Sequence, residues 1–80
     1  MYYDENNTMV IVCLPNFPLG RLPETINMSN NCHSTTWVDP RSINEFGEGD
    51  VFIASASEDD QADIMSWIQN TIGYFTRHAA

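Results

Sequence analysis

Val51-Phe52-Ile53-Ala54-Ser55-Ala56, followed at once by Ser57-Glu58-Asp59-Asp60, is the stretch that decides the fold. The first part, residues 51–56, is an apolar run of strand length, and the glycines of Phe46-Gly47-Glu48-Gly49-Asp50 before it suit a tight turn. Ser57 then offers a side-chain oxygen to the unpaired N–H groups of a helix start, and the three carboxylates that follow favour the positive end of the helix dipole. A helix over residues 57–78 is predicted. Ile64, Ile68, Ile72 and Phe75 recur at helical spacing, Met65 and Trp67 widen the stripe, and Asp63, Ser66, Gln69, Asn70 and Arg77 take the other side. Arg77 and His78 fall in its last turn, where positive charge is favourable.

Toward the N-terminus, residues 8–14 (Thr-Met-Val-Ile-Val-Cys-Leu) read as a buried strand. A continuous apolar run implies cover on both faces, which places this strand at the centre of the sheet, with Pro15 ending it because proline cannot donate to the ladder. Residues 34–38 read as a further strand, Thr36 and Val38 alternating with Thr35 and Trp37 until Asp39-Pro40 stops it. Between these, residues 15–33 read as a long loop punctuated by Pro15, Pro18, Gly20 and Pro23 and then by Asn27, Ser29, Asn30 and Asn31. Its apolar residues, Phe17, Leu19, Leu22, Ile26 and Met28, argue that it packs, and residues 23–28 would fit one helical turn opened by proline. The expected fold is α+β in a single small domain over residues 1–80: a mainly antiparallel sheet of about three strands with one C-terminal amphipathic helix on a face.

Charge is the most informative feature of the composition. Three basic residues stand against eleven acidic ones, for a net charge of −8, and no lysine occurs. Binding to bare nucleic acid or to an anionic membrane needs a cluster of lysines and arginines, and Arg21, Arg41 and Arg77 are too few and too scattered to form one. An acidic field of this kind steers basic partners in and repels polyanions. No window approaches the ~20 apolar residues of a membrane span. The first residues, Met1-Tyr2-Tyr3-Asp4-Glu5-Asn6-Asn7, are acidic and polar where a secretory signal is basic and then apolar. A cytoplasmic protein is expected, in the host cell if the chain is viral, with Cys13 and Cys32 as reduced thiols.

Chemistry-bearing patterns are weak. Cys32 and His33 are adjacent, so on extended chain they point apart and make no nucleophile–base pair. Cys13, Cys32, His33 and His78 lack the paired spacing of a zinc site, and Asp59, Asp60, Gln61 and Asp63 lack the glycine and terminal glutamate of a calcium loop. Gly47-Glu48-Gly49 is no phosphate cradle, because Glu45, Glu48 and Asp50 put carboxylates where the phosphate would sit. No catalytic residue, cofactor or metal ligand is assigned.

What remains is surface. Glu45, Glu48 and Asp50 precede the strand at 51–56, and Glu58, Asp59, Asp60 and Asp63 follow it, so two acidic groups bracket it. On a helix, Asp59 and Asp63 lie about 6 Å apart along the axis, close to two phosphate steps of roughly 3.4 Å on one nucleic-acid strand. Trp37 and, in the apolar proline-rich segment, Phe17 are the expected contact residues of a protein-binding hot spot. The expected function is a non-catalytic acidic module that binds and inhibits or modulates a larger, partly basic protein, with nucleic-acid mimicry as one mode. The alternative is a small assembly subunit stabilised by oligomerisation. In general composition the chain resembles the small acidic inhibitors that phages and other mobile elements direct at host nucleic-acid enzymes or defence complexes, a resemblance that rests on no motif.

Overall fold

The strand foreseen at residues 51–56 is the centre of the sheet. In the computed structural model, which describes residues 9–75, it runs as Glu48–Ser55 (β3) and pairs on both sides, with Val10–Pro18 (β1) and Ser34–Val38 (β2). Both pairings are antiparallel and the strand order is β1-β3-β2. Two helices complete a small α+β fold, Leu22–Asn31 (α1) and Glu58–Trp67 (α2).

The strand expected at the centre is therefore an edge. β1 pairs with β3 alone, and along it Val12 packs against the core and Leu14 is buried while Ile11 and Cys13 are exposed. Successive side chains on a strand point to opposite faces, so its unbroken apolar run coats both faces although the core covers one. Thr8, the expected start of this strand, lies outside the described residues.

Pro15 does not end β1. Leu14 is opposite Val51 and Phe17 opposite Gly49, so one extra residue is accommodated between them as a bulge, where Asn16 takes a left-handed conformation with φ of 57°. Proline is tolerated there because an edge strand at a bulge does not require its N–H. The bulge also resets the alternation, so that Leu14 and Phe17, three positions apart, both enter the core. Phe17 is fully buried against Tyr74, ring centroids 5.3 Å apart, and the Tyr74 hydroxyl donates to the Pro15 carbonyl.

The long loop expected over residues 15–33 is largely regular. β1 continues to Pro18, a single 3-10 turn covers Leu19–Arg21, and α1 follows with Pro23 in its first turn, where a missing N–H costs nothing. The fully buried residues of α1 are Thr25 and Ser29, one helical turn apart. Each satisfies its hydroxyl within the helix: Thr25 Oγ1 donates to the Arg21 carbonyl at 2.7 Å and Ser29 Oγ to the Ile26 carbonyl at 2.9 Å. The helix that packs on β2 thus buries small back-bonded hydroxyl residues where an apolar stripe would ordinarily be. His33, with φ of 53°, turns the chain from α1 into β2.

α2 begins at the expected cap: Ser57 Oγ accepts the Asp60 N–H at 3.1 Å, with Glu58, Asp59 and Asp60 in the first turn. It does not run unbroken through the expected range. After Trp67 the coil widens to a π-helical turn over Ile68–Ile72, and Gly73, with φ of 76°, closes it by donating its N–H to the carbonyls of Ile68 and Gln69 at 3.1 Å each. The expected residues 76–78 of this helix lie outside the described part. Ile64 and Ile68 are fully buried, joining Leu14, Phe17, Val51, Ile53 and Tyr74 in one core between the sheet and its helices. No helix among the described residues is long and apolar enough to cross a membrane.

Candidate interaction surfaces

The ladder fixes which side chains share each face of the sheet. On one face Val12, Leu14, Val51, Ile53, Thr36 and Val38 meet the core, with Ser34 and Ser55 joined by a buried hydroxyl hydrogen bond of 2.8 Å at the end. The other face is formed by the alternate positions: Ile11, Ala54 and Thr35 in one rung and Cys13, Phe52 and Trp37 in the next. Phe52 and Trp37 stack with ring centroids 5.7 Å apart and planes 14° from parallel, a pairing worth about 0.5–1.5 kcal/mol beyond its buried area. Ile11 remains 54% exposed and Trp37 42% exposed. Ala54 is buried beneath these larger neighbours.

Trp37 therefore sits on the surface. Phe17, named with it as a contact residue, does not, because the bulge at Pro15-Asn16 carries it into the core.

The seven acidic candidates fall in two separate places. Glu45 is exposed in the loop before β3, and Glu48 and Asp50 are half-buried in its first part. Glu58, Asp59, Asp60 and Asp63 lie in α2, beyond the far end of β3; Asp60 is half-buried and the other three are exposed. From Asp50 to the end of β3 at Ser55 is five residue steps, roughly 16 Å at about 3.3 Å each, so the two groups lie at opposite ends of the strand. The loop at 39–47 holds the first group in place: Asn44 Oδ1 accepts from the N–H groups of Phe46 and Glu48, at 2.9 and 3.0 Å, and Ser42 Oγ accepts the Asp50 N–H at 2.7 Å. Gly49 closes this corner, since a Cβ there would stand 3.2 Å from Val38 Cγ2 and 3.3 Å from Ile43 Cγ1.

Arg21 and Arg41 are the arginines among the described residues. Arg21 pairs with Glu24 at 2.6 Å, and Arg41 lies 3.7 Å from Asp39. Arg77 and His78 lie outside the described residues.

The two thiols occupy different environments, Cys13 exposed and Cys32 half-buried. Partial burial raises the Cys13 thiol above the ordinary value, and the Asp50 carboxylate raises it further. Cys32, packed against the core at the end of α1, is raised by burial and then by Asp63 and Asp60. Each holds less thiolate near neutrality than a free cysteine does. Among the described residues no three His, Cys, Asp or Glu side chains are grouped to hold a metal ion.

Ile11, Cys13 and Phe52 were not among the sequence candidates. Each lies within an apolar run that reads as core throughout, and only the pairing with a known neighbour assigns its face. No protein-family model, curated protein or solved structure matches the chain.

Proposed function

We propose that the chain is a non-catalytic acidic module that binds and inhibits or modulates a larger, partly basic protein or complex, with imitation of nucleic-acid charge as its mode. The observation that carries this reading is the first half of α2. Ser57 caps the helix and holds Glu58, Asp59 and Asp63 exposed on a regular scaffold, with no lysine anywhere in the chain. Asp59 and Asp63 stand one turn apart, about 6 Å along the axis. The two arginines among the described residues each lie beside a carboxylate of their own element or turn, so neither offsets this acidic end. The partner we have in mind is a nucleic-acid-binding protein in the cytoplasm, of the kind that phage or mobile-element inhibitors act on.

The test is capture of proteins from a candidate host lysate on the immobilised chain, washed at low and at high salt and with added nucleic acid. The reading expects a basic nucleic-acid-binding protein that is released by salt, displaced by nucleic acid and lost when Asp59, Asp60 and Asp63 are all changed to lysine. Retention of the same protein by the triple variant would overturn it. The apolar open face of the sheet favours a second reading, an assembly subunit, which expects salt-resistant self-association.

A further inference from the structure

We infer that the open face of the sheet, centred on the Trp37–Phe52 stack, docks a basic protein partner that sets an apolar side chain on Ile11, Trp37 and Phe52 and arginine or lysine against an acidic rim. This deepens the proposed function and rests on it for the sign of the partner's charge. The helices cover the opposite face, and two large apolar side chains of this one remain about half exposed, Ile11 at 54% and Trp37 at 42%. Apolar and aromatic residues gathered on one face and rimmed by polar groups are the form that protein contact sites take.

Charge selects the occupant. Asp50, two residues before Phe52, shares its face by the alternation of β3, and its charge acts on the Cys13 thiol. Asp39 joins the same end, its N–H donating to the Asp50 carbonyl at 3.0 Å. The nearest cation in sequence, Arg41, lies 3.7 Å from Asp39 with a side chain 92% exposed, and offsets at most that one carboxylate of the rim. At the other end β3 passes through Ala56 and Ser57, both exposed, into the acidic first turn of α2. A second copy would bring the same carboxylates, and a further net charge of −8, against these. A basic surface brings none of that repulsion, and an aromatic pair beside carboxylates suits a guanidinium in particular.

The test titrates two synthetic peptides of equal length and charge into the ¹⁵N-labelled full chain at low salt, one alternating arginine with isoleucine and the other arginine with serine. The inference expects the arginine–isoleucine peptide to bind about tenfold more tightly, the gain from burying an isoleucine, and to shift the amides of Ile11, Cys13, Thr35 and Phe52 and the indole N–H of Trp37. Trp37→Ala should remove that preference, and Ile11→Thr should reduce it without removing a ring from the stack. Native amide dispersion checks the fold of each. Equal binding of both peptides with shifts confined to residues 58–63 would overturn the docking face and leave the proposed function standing. Absence of saturable binding by either peptide would overturn both. Shifts of the open-face signals on raising protein concentration without peptide would assign the face to a second copy and overturn the inference.

Discussion

On the helical face of the sheet Leu14, Val51 and Ile53 are 2% exposed or less, whereas Ile11 and Trp37, on the opposite face of the same strands, keep 54% and 42% of their surface. The residue types on the two faces are much alike. Chemistry of the strand therefore does not decide which face becomes core; the elements outside the sheet do. α2 brings Ile64 and Ile68, the chain beyond it brings Tyr74, and α1 closes the β2 side with Thr25 and Ser29. All of these pack on one face, while on the other, among the described residues, Trp37 stacks on Phe52 and stays partly exposed.

The largest effect that follows is on the covered face. Ile53 is fully buried in the middle strand, and Ile53→Ala should cost about 2–5 kcal/mol, transfer and cavity together. A domain of this size holds on the order of 3–5 kcal/mol in all, so urea titration should find the variant largely unfolded or with its midpoint moved far down. Across the sheet, Ile11→Thr keeps a β-branched residue on an edge strand and should change stability by no more than about 0.5 kcal/mol. An effect of Ile11→Thr near that of Ile53→Ala would break the comparison, because it would mean that Ile11 is covered in solution.

The same contrast explains which parts of the fold were legible. Ser57 and the three acids after it announce a helix start in local chemistry, and the structure places a cap there with the expected hydrogen bond. The strands at residues 34–38 and 51–56 are nearly as local, since each is an extended run between turn residues. Of α1 the sequence offers only one turn, residues 23–28, because the fully buried Thr25 and Ser29 interrupt the apolar period on its packed side, and Ser29 falls within the run of asparagines that reads as loop. β1 reads as central for the converse reason: five apolar residues in a row, Val10 to Leu14, carry no sign of which face is covered. Phe17 depends on a bulge that proline conceals, because Pro15 reads as a stop while the structure uses it as a hinge in an edge strand. At the candidate surfaces the acids were visible as a list of charges. Their placement at opposite ends of β3, and the pairing of Trp37 with Phe52, exist only once strands are in register.

The finest probe of the two faces is a pair of thiols. Cys13 lies exposed on the open face and Cys32 half-buried on the helical side, and both are raised above the ordinary thiol value. A raised thiol holds less thiolate at a given pH, so its alkylation profile moves to higher pH. With iodoacetamide under native conditions Cys13 should react before Cys32, because reagent reaches it freely, yet more slowly than cysteine in an unstructured peptide at the same pH. Asp50→Asn removes the second cause of the shift at Cys13 and leaves the first, partial burial, in place. Its profile should therefore move part of the way back toward lower pH, while Cys32, whose neighbouring charges are Asp63 and Asp60, keeps its own. Mass spectrometry of the two alkylated peptides over time reads both rates in one experiment. Cys13 reacting at or below the rate of Cys32 would mean that something covers the open face of the free protein, and the docking surface would then already be occupied.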